Sequence, residues 1–236
     1  MEKKHKDLTG DLRKSLLYHD PTVDARLMRV LTELKTGFSF LETFIHDKVV
    51  TFFGSARIKT SDPYYKKAKE LAGILAKNNI TVITGGGPGI MEAANRGADG
   101  VGGRSAGVNI FLPRGERKNR YVHESVGFYY FFNRKVILDY AAEAFVFFPG
   151  GYGTLDELFE ICNLIITRKI KKNIPIILFG KKFWTPLLKW LKHTIVKKRL
   201  ITNHELTIFY VTDSIQKASA LLQKVKNNSS GNLKDK

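Results

Sequence analysis

Two short apolar runs in this chain break off into clusters of glycine, and each cluster leads at once into a helical pattern. The first is Ile80-Thr81-Val82-Ile83-Thr84, followed by Gly85-Gly86-Gly87-Pro88-Gly89. The second is Ala144 to Phe148, followed by Pro149-Gly150-Gly151-Tyr152-Gly153. A short apolar run bounded by turn residues reads as a strand buried on both faces. A strand that feeds a glycine turn and then a helix is the building unit of an α/β fold. It leaves free N–H groups and a helix dipole at the strand's end, where an anion can bind.

The rest of the chain keeps this rhythm. Residues 49–53 read as a strand ending in Gly54-Ser55, and Asp62-Pro63 opens a helix over 62–79, with Asp as N-cap and Pro at the first helical position. Further helices are expected over 90–99, 128–142, 154–168 and 214–224, and around Trp184 and Trp190. Further strands are expected over 105–111, 175–179 and 207–211, with a polar loop over 112–124. Ahead of the first strand, Val23, Leu27, Val30, Leu31, Leu34, Phe38 and Leu41 recur at helical spacing within 21–46. The expected architecture is a Rossmann-like, doubly wound parallel sheet in a three-layer α/β/α sandwich with an N-terminal helical extension. One such domain spans 21–224, between a flexible basic N-terminus (1–20) and a disordered tail (225–236). Ligands of such sheets lie at the C-terminal strand ends where the strand order reverses.

The charge balance tests a different reading. Thirty-nine Lys and Arg against 22 Asp and Glu give a net charge of +17, which invites a nucleic-acid partner. The basic residues, however, are spread along the whole chain. The densest run, Arg168-Lys169-Ile170-Lys171-Lys172, falls where a helix should end, and cations are favourable there. A lysine-rich surface that draws in small anionic substrates fits better, and no nucleic-acid partner is expected. Cys162 is the only cysteine, so no internal disulfide framework can form. The N-terminus has charge but no apolar signal region, and no stretch approaches the roughly 18 apolar residues of a membrane span. A cytoplasmic protein with no membrane partner is expected. No His/Cys/carboxylate cluster offers a metal site, and no cofactor is called for.

Each glycine turn admits a structural and a chemical reading. Reading from Gly85, a dinucleotide fingerprint would need a sixth-position glycine where Ile90 stands, and the Gly-Lys-Ser/Thr ending of a phosphate loop is absent. Gly86 and Gly87 therefore line either a ligand site or a tight turn. At the second turn, the amides of Gly151, Gly153 and Thr154, with the Thr154 hydroxyl, can hold a phosphate. Thr154-x-x-Glu157 is equally the pattern of a capping box, which would satisfy both side chains at a helix start. Arg134-Lys135, inside an apolar and aromatic helix, is either solvated surface or the planar cation that a buried phosphate or carboxylate recruits. Among Phe128, Tyr129, Tyr130, Phe131 and Phe132, core or subunit contacts are expected, with one ring available to stack on a base.

Taken together, Gly85-Gly86-Gly87-Pro88-Gly89, Arg134-Lys135 and Pro149-Gly150-Gly151-Tyr152-Gly153-Thr154-Leu155-Asp156-Glu157 resemble the LOG ("lonely guy") family. These are cytokinin-activating phosphoribohydrolases and bacterial nucleotide nucleosidases, often labelled lysine decarboxylases. The resemblance runs from about Lys48 to Ile177. It implies hydrolysis of the N-glycosidic bond of a nucleoside 5′-monophosphate to free base and ribose 5-phosphate, with Arg134 and Glu157 as the catalytic pair. It further implies that Lys135, Gly150, Gly151, Tyr152, Gly153, Thr154 and Asp156 bind the nucleotide, and that the chain is a homodimer. Gly86, Gly87, Ser55 and Glu92 join the candidate binding set. Glu116 matches only approximately the substrate-contacting glutamate of the family's Leu-Pro loop. The turn Pro88-Gly89-Ile90-Met91-Glu92 follows the bacterial branch rather than the Ser-containing turn of the plant enzymes. Lysine decarboxylation would need a Schiff-base lysine for pyridoxal phosphate, and neither glycine turn contains a lysine. The competing class is a non-catalytic nucleotide or molybdenum-cofactor carrier, or a basic DNA-processing protein on a related sheet. Such a carrier has no use for Arg134 and Glu157 together.

Overall fold

The computed structural model describes residues 6–7, 22–112, 118–170 and 174–224. Its strands form one sheet in which every pairing is parallel. In chain order they are β1 (Lys6–Asp7), β2 (Lys48–Phe53), β3 (Ile80–Thr84), β4 (Ser105–Ile110), β5 (Glu124–Phe128), β6 (Ala144–Phe147), β7 (Ile176–Phe179) and β8 (Phe209–Thr212). Across the sheet the order is β1-β5-β4-β3-β2-β6-β7-β8. From β2 the chain winds outward through β3, β4 and β5, then returns to lay β6 beside β2 and winds the other way. The doubly wound sheet is as expected, and its order reverses between β2 and β6.

The helices are α1 (Val23–Glu42), α2 (Pro63–Lys77), α3 (Ile90–Asp99), α4 (Phe131–Ala141), α5 (Tyr152–Ile166), α6 (Lys181–Trp190) and α7 (Ile215–Gln223). Alternation along a strand sends successive side chains to opposite layers. On β6, Phe145 and Phe147 pack with Phe40 of α1, Ile137 of α4, Leu158 of α5 and Trp184 of α6. Ala144 and Val146 pack with Leu71 of α2, Ala93 of α3 and Leu222 of α7. These are the three layers of the sandwich. Asp62 caps α2 as its sequence requires, accepting from the Tyr64 amide at 2.7 Å. No helix among the described residues is long and apolar enough to cross a membrane.

Three expectations need correction. The region read as a loop followed by a helix from residue 128 contains β5, and α4 begins only at Phe131. Glu124-Ser125-Val126-Gly127-Phe128 is short and weakly apolar, and it becomes a strand because β4 supplies its hydrogen bonds in register. The last strand is Phe209–Thr212, and a short 3-10 turn, His204–Ile208, occupies part of the span expected for it. Within the expected flexible start, Lys6 and Asp7 pair with Glu124 and Ser125 at the sheet edge. The tail over 225–236 lies outside the described residues, as does most of 1–20.

The N-terminal extension is part of the fold. Glu33 of α1 is completely buried and accepts hydrogen bonds from the Tyr129 amide (2.6 Å), the Tyr130 amide (3.3 Å) and the Asn133 side chain (2.8 Å). Tyr130 is the N-cap residue of α4 and has no capping side-chain bond of its own. Glu33 therefore caps α4 from another helix, where the dipole favours a negative charge. One turn further along α1, a Cβ at Gly37 would lie 2.5 Å from Ile137, so the two helices meet at the distance only glycine allows. Replacing Glu33 by Ala leaves the part-buried Tyr129 and Tyr130 amides without their acceptor and removes the shorter of the two bonds donated by Asn133. Urea denaturation should register a loss of about 2–4 kcal/mol for Glu33→Ala.

Candidate active site

The second glycine turn sits at the end of β6, beside the point where strand order reverses. Helix α5 starts at Tyr152, with Gly151 as N-cap and no side-chain cap bond. Its hydrogen-bond ladder opens with the Leu155 amide donating to Gly151 O at 3.0 Å. The amides of Tyr152, Gly153 and Thr154 therefore have no carbonyl to bond within the helix. Thr154 is already the third residue of α5, and Glu157 lies in its second turn. This corrects the capping-box reading: the helix begins three residues too early for Thr154 to cap it.

The glycines of this turn divide into two kinds. Gly150 is required by the chain itself, because a Cβ there would run into the buried Thr154 side chain. At Gly151 and Gly153 a Cβ would meet nothing within 4 Å. Neither has a φ that L residues avoid, so neither packing nor backbone strain demands glycine there. The surface they leave open lies over the first amides of α5.

Glu157 is 7% exposed, and its Oε2 has no hydrogen-bond partner among the described residues. Burial pushes its carboxyl up to about 7. The charges of Arg134 and then Lys135 pull it back, and Asp156 opposes them. Arg134 comes from α4 and reaches over the strand ends. Its Nε donates to Val108 O of β4 at 2.9 Å, and its Nη2 lies 3.5 Å from Gly85 O. A side chain at Gly85 would collide with this guanidinium and with Met91, so the first glycine turn makes room for the arginine. The two motifs, 49 residues apart, thus meet at one place.

The floor beneath that first turn is a buried polar network. Asn119 donates through Nδ2 to Gly86 O (3.0 Å), Gly87 O (2.9 Å) and Asn95 Oδ1 (2.9 Å). The Thr84 hydroxyl bonds Asn95 and accepts from the Gly86 amide. Gly86 has φ +74°, and a Cβ there would press on Asn109 at 2.5 Å. This network fixes the turn, and sequence reading missed it because isolated Asn residues carry no spacing signal.

Lys135 does not lie free for a nucleotide. Its Nζ is 2.5 Å from Glu160 Oε2 and 3.1 Å from Asp156 Oδ1, clasping α4 to α5 on either side of Glu157. Sequence reading also missed Asp139, one turn after Lys135. It is 3% exposed, and its Oδ1 has no hydrogen-bond partner among the described residues. Burial and then the Glu157 charge push it up to about 8.

Of the remaining candidates, Ser55 lies between the two glycine turns. Its amide donates to Pro149 O at 3.0 Å, and its carbonyl accepts from the Ile90 amide at 3.1 Å. Tyr152 is 94% exposed at the mouth. Glu92 points elsewhere: its carboxylate accepts from the Tyr65 hydroxyl of α2 at 2.8 Å, so the structure separates it from Arg134 and Glu157. Glu116 lies outside the described residues. None of the described His, Cys, Asp and Glu residues groups in a way that could hold a metal.

Comparison with known proteins identifies the family. The sequence profile of the family described as "Possible lysine decarboxylase" matches residues 91–222. A probable cytokinin riboside 5′-monophosphate phosphoribohydrolase of rice is 33% identical over 119 residues, 48% of this chain and 47% of that protein. The cytokinin riboside 5′-monophosphate phosphoribohydrolase of Rhodococcoides fascians is 27% identical over 154 residues, 64% of this chain and 77% of that protein. The chain spans about half the length of the plant relatives it matches. Among solved structures, the structural-genomics protein TM1055 superposes with a TM-score of 0.58 at 23% identity, covering 75% of this chain and 99% of that one. The molybdenum cofactor carrier protein of Chlamydomonas reinhardtii superposes at 0.55 with 20% identity over 76% of this chain and 97% of that one, a likeness of fold. With its profile matched over more than half of its length and its motifs converging on one strand-end site, the chain belongs to the LOG family, whose profile carries the lysine decarboxylase description.

Proposed function

We propose that this chain hydrolyses the N-glycosidic bond of nucleoside 5′-monophosphates, releasing the free base and ribose 5-phosphate. The observation that carries this reading is Glu157, a buried carboxylate with an unpartnered oxygen, held near neutrality and opposed by Arg134. Cleavage passes through an oxocarbenium-like state with positive charge at C1′ and the ring oxygen. A carboxylate in a dry seam stabilises that charge far more than one in water, and it can take the proton of the attacking water. The 5′-phosphate sits on the open amides at the start of α5, over Gly151 and Gly153, where the helix dipole favours an anion. Holding the phosphate there positions the sugar against Glu157, so a non-reacting group contributes to rate. Arg134, fixed on Val108 O, orients Glu157 and faces the sugar. Lys135 acts through the α4–α5 clasp rather than by touching the nucleotide.

The chain further works as a homodimer. Phe131, Phe132 and Tyr140 on α4, with Leu27, Met28 and Leu31 on α1, are all more than half exposed. An apolar surface on two adjacent helices beside the site suits a second copy of the chain. The positive charge then lies on the outside of the dimer and draws in anionic nucleotides.

Three measurements check this reading. Glu157→Gln should fold normally yet lose activity by about 100-fold or more; near-normal turnover would remove Glu157 from the chemistry. Incubation with AMP and with adenosine, scored for free base and ribose product, should show the monophosphate cleaved far faster, and equal rates would take the phosphate away from the α5 amides. Light scattering should return twice 26.7 kDa, whereas a fully active monomer would sink the subunit contact.

A further inference from the structure

Lys135 and Asp139 stand four residues apart on α4 and so share one face of that helix, just as Glu157 and Glu160 do, three apart, on α5. The Lys135–Glu160 contact at 2.5 Å brings those two faces together. Asp139 and Glu157 therefore occupy one seam, 3% and 7% exposed, each with a buried oxygen that nothing among the described residues satisfies. The charged groups facing them are Lys135 and Arg134 from α4 and Asp156 and Glu160 from α5. Glu33 of α1 is turned to the other end of the seam, its oxygens taken by Tyr129, Tyr130 and Asn133.

A carboxyl pair in such a seam does not carry two negative charges. Lys135 is already committed to Asp156 and Glu160, and two unscreened anions in a low-dielectric space repel strongly. We propose that Asp139 is a positioning residue for Glu157, holding one proton so that the pair bears a single negative charge, which resides on Glu157 beside the sugar. This rests on the reading of Glu157 as the carboxylate of the reacting centre. Burial acts on both members in the same direction, raising Glu157 to about 7 and Asp139 to about 8, and the Arg134 guanidinium opposes it at Glu157 alone, so the single charge settles on Glu157. As pH rises further Asp139 ionises too, and the doubly charged seam disturbs the alignment of α4 and α5.

The sign of the pH effect follows. An acid kept protonated by burial holds its proton in the folded chain at a pH where the unfolded chain has released it. Its contribution to stability is full below the ordinary carboxylate range and is lost as pH rises through the raised value. Melting temperature should be recorded from pH 5 to pH 9 for the wild type, Asp139→Asn, Glu157→Gln and the double variant. The wild type should lose about 5 °C or more across that range. Each single substitution should flatten the fall, and the two flattenings together should exceed that of the double variant, because each carboxyl raises the other. In parallel, kcat/KM for a nucleoside monophosphate should rise with pH through about 7 and fall above about 8 in the wild type. Asp139→Asn should abolish the alkaline fall while keeping the rise. An Asp139→Asn protein whose melting curve and alkaline limb match the wild type overturns the proposal, as does strict additivity in the melting cycle. If the wild type cleaves no nucleotide, the melting cycle still decides whether the pair shares a proton.

Discussion

Glu157 is a carboxylate almost wholly withdrawn from solvent, and that constraint organises everything around it. An uncompensated charge at that depth would cost several kcal/mol, so its neighbours must be set with care. Arg134 supplies the opposing charge, but a guanidinium can lie over the strand ends only if something yields. The glycine at position 85 yields, leaving the space that a Cβ would fill. Lys135 completes the arrangement by gripping Asp156 and Glu160 on either side. A buried anion, an arginine and a glycine from three separate segments thus form one physical unit.

That unit depends on elements that lie outside it. Arg134 is placed by α4, and the start of α4 is capped by Glu33 from α1. The helix that precedes the first long strand therefore belongs to the scaffold of the candidate site, with Gly37 allowing it to approach α4 closely. On the other side of the cleft, Asn119, Asn95 and Thr84 hold the first glycine turn from beneath. A rigid turn and a capped helix keep Arg134 and Glu157 within reach of each other. Positioning within a fraction of an ångström is what such chemistry requires.

The open end of α5 is the complementary half. A helix start that lacks a side-chain cap leaves polar groups that need a partner. Here the two glycines at the mouth keep the space over those groups empty, although neither backbone strain nor packing requires them. A phosphate is of a size and charge to satisfy such a gap. The open helix start and Glu157 lie in the first and second turns of α5.

The alternation of apolar runs, glycine clusters and helical periods was enough to determine the parallel doubly wound sheet, because a local pattern sets local structure and short connections leave few topologies. The motifs around Arg134 and Glu157 were likewise legible, since they are contiguous in the chain. The strand Glu124–Phe128 was not, because five weakly apolar residues become a strand only when β4 offers a ladder beside them. The fate of Thr154 and Glu157 could not be read either: capping box and buried acid share one sequence pattern, and only the register of the first turn of α5 separates them. Glu92 looked like a partner of the first glycine turn, and the packing of α2 on α3 gave it to Tyr65 instead. Asp139 and Glu33 are single acidic residues in otherwise ordinary helices, and sequence spacing says nothing about them. Their roles arise from which helix face meets which neighbour, a long-range fact that burial and the desolvation of charge decide.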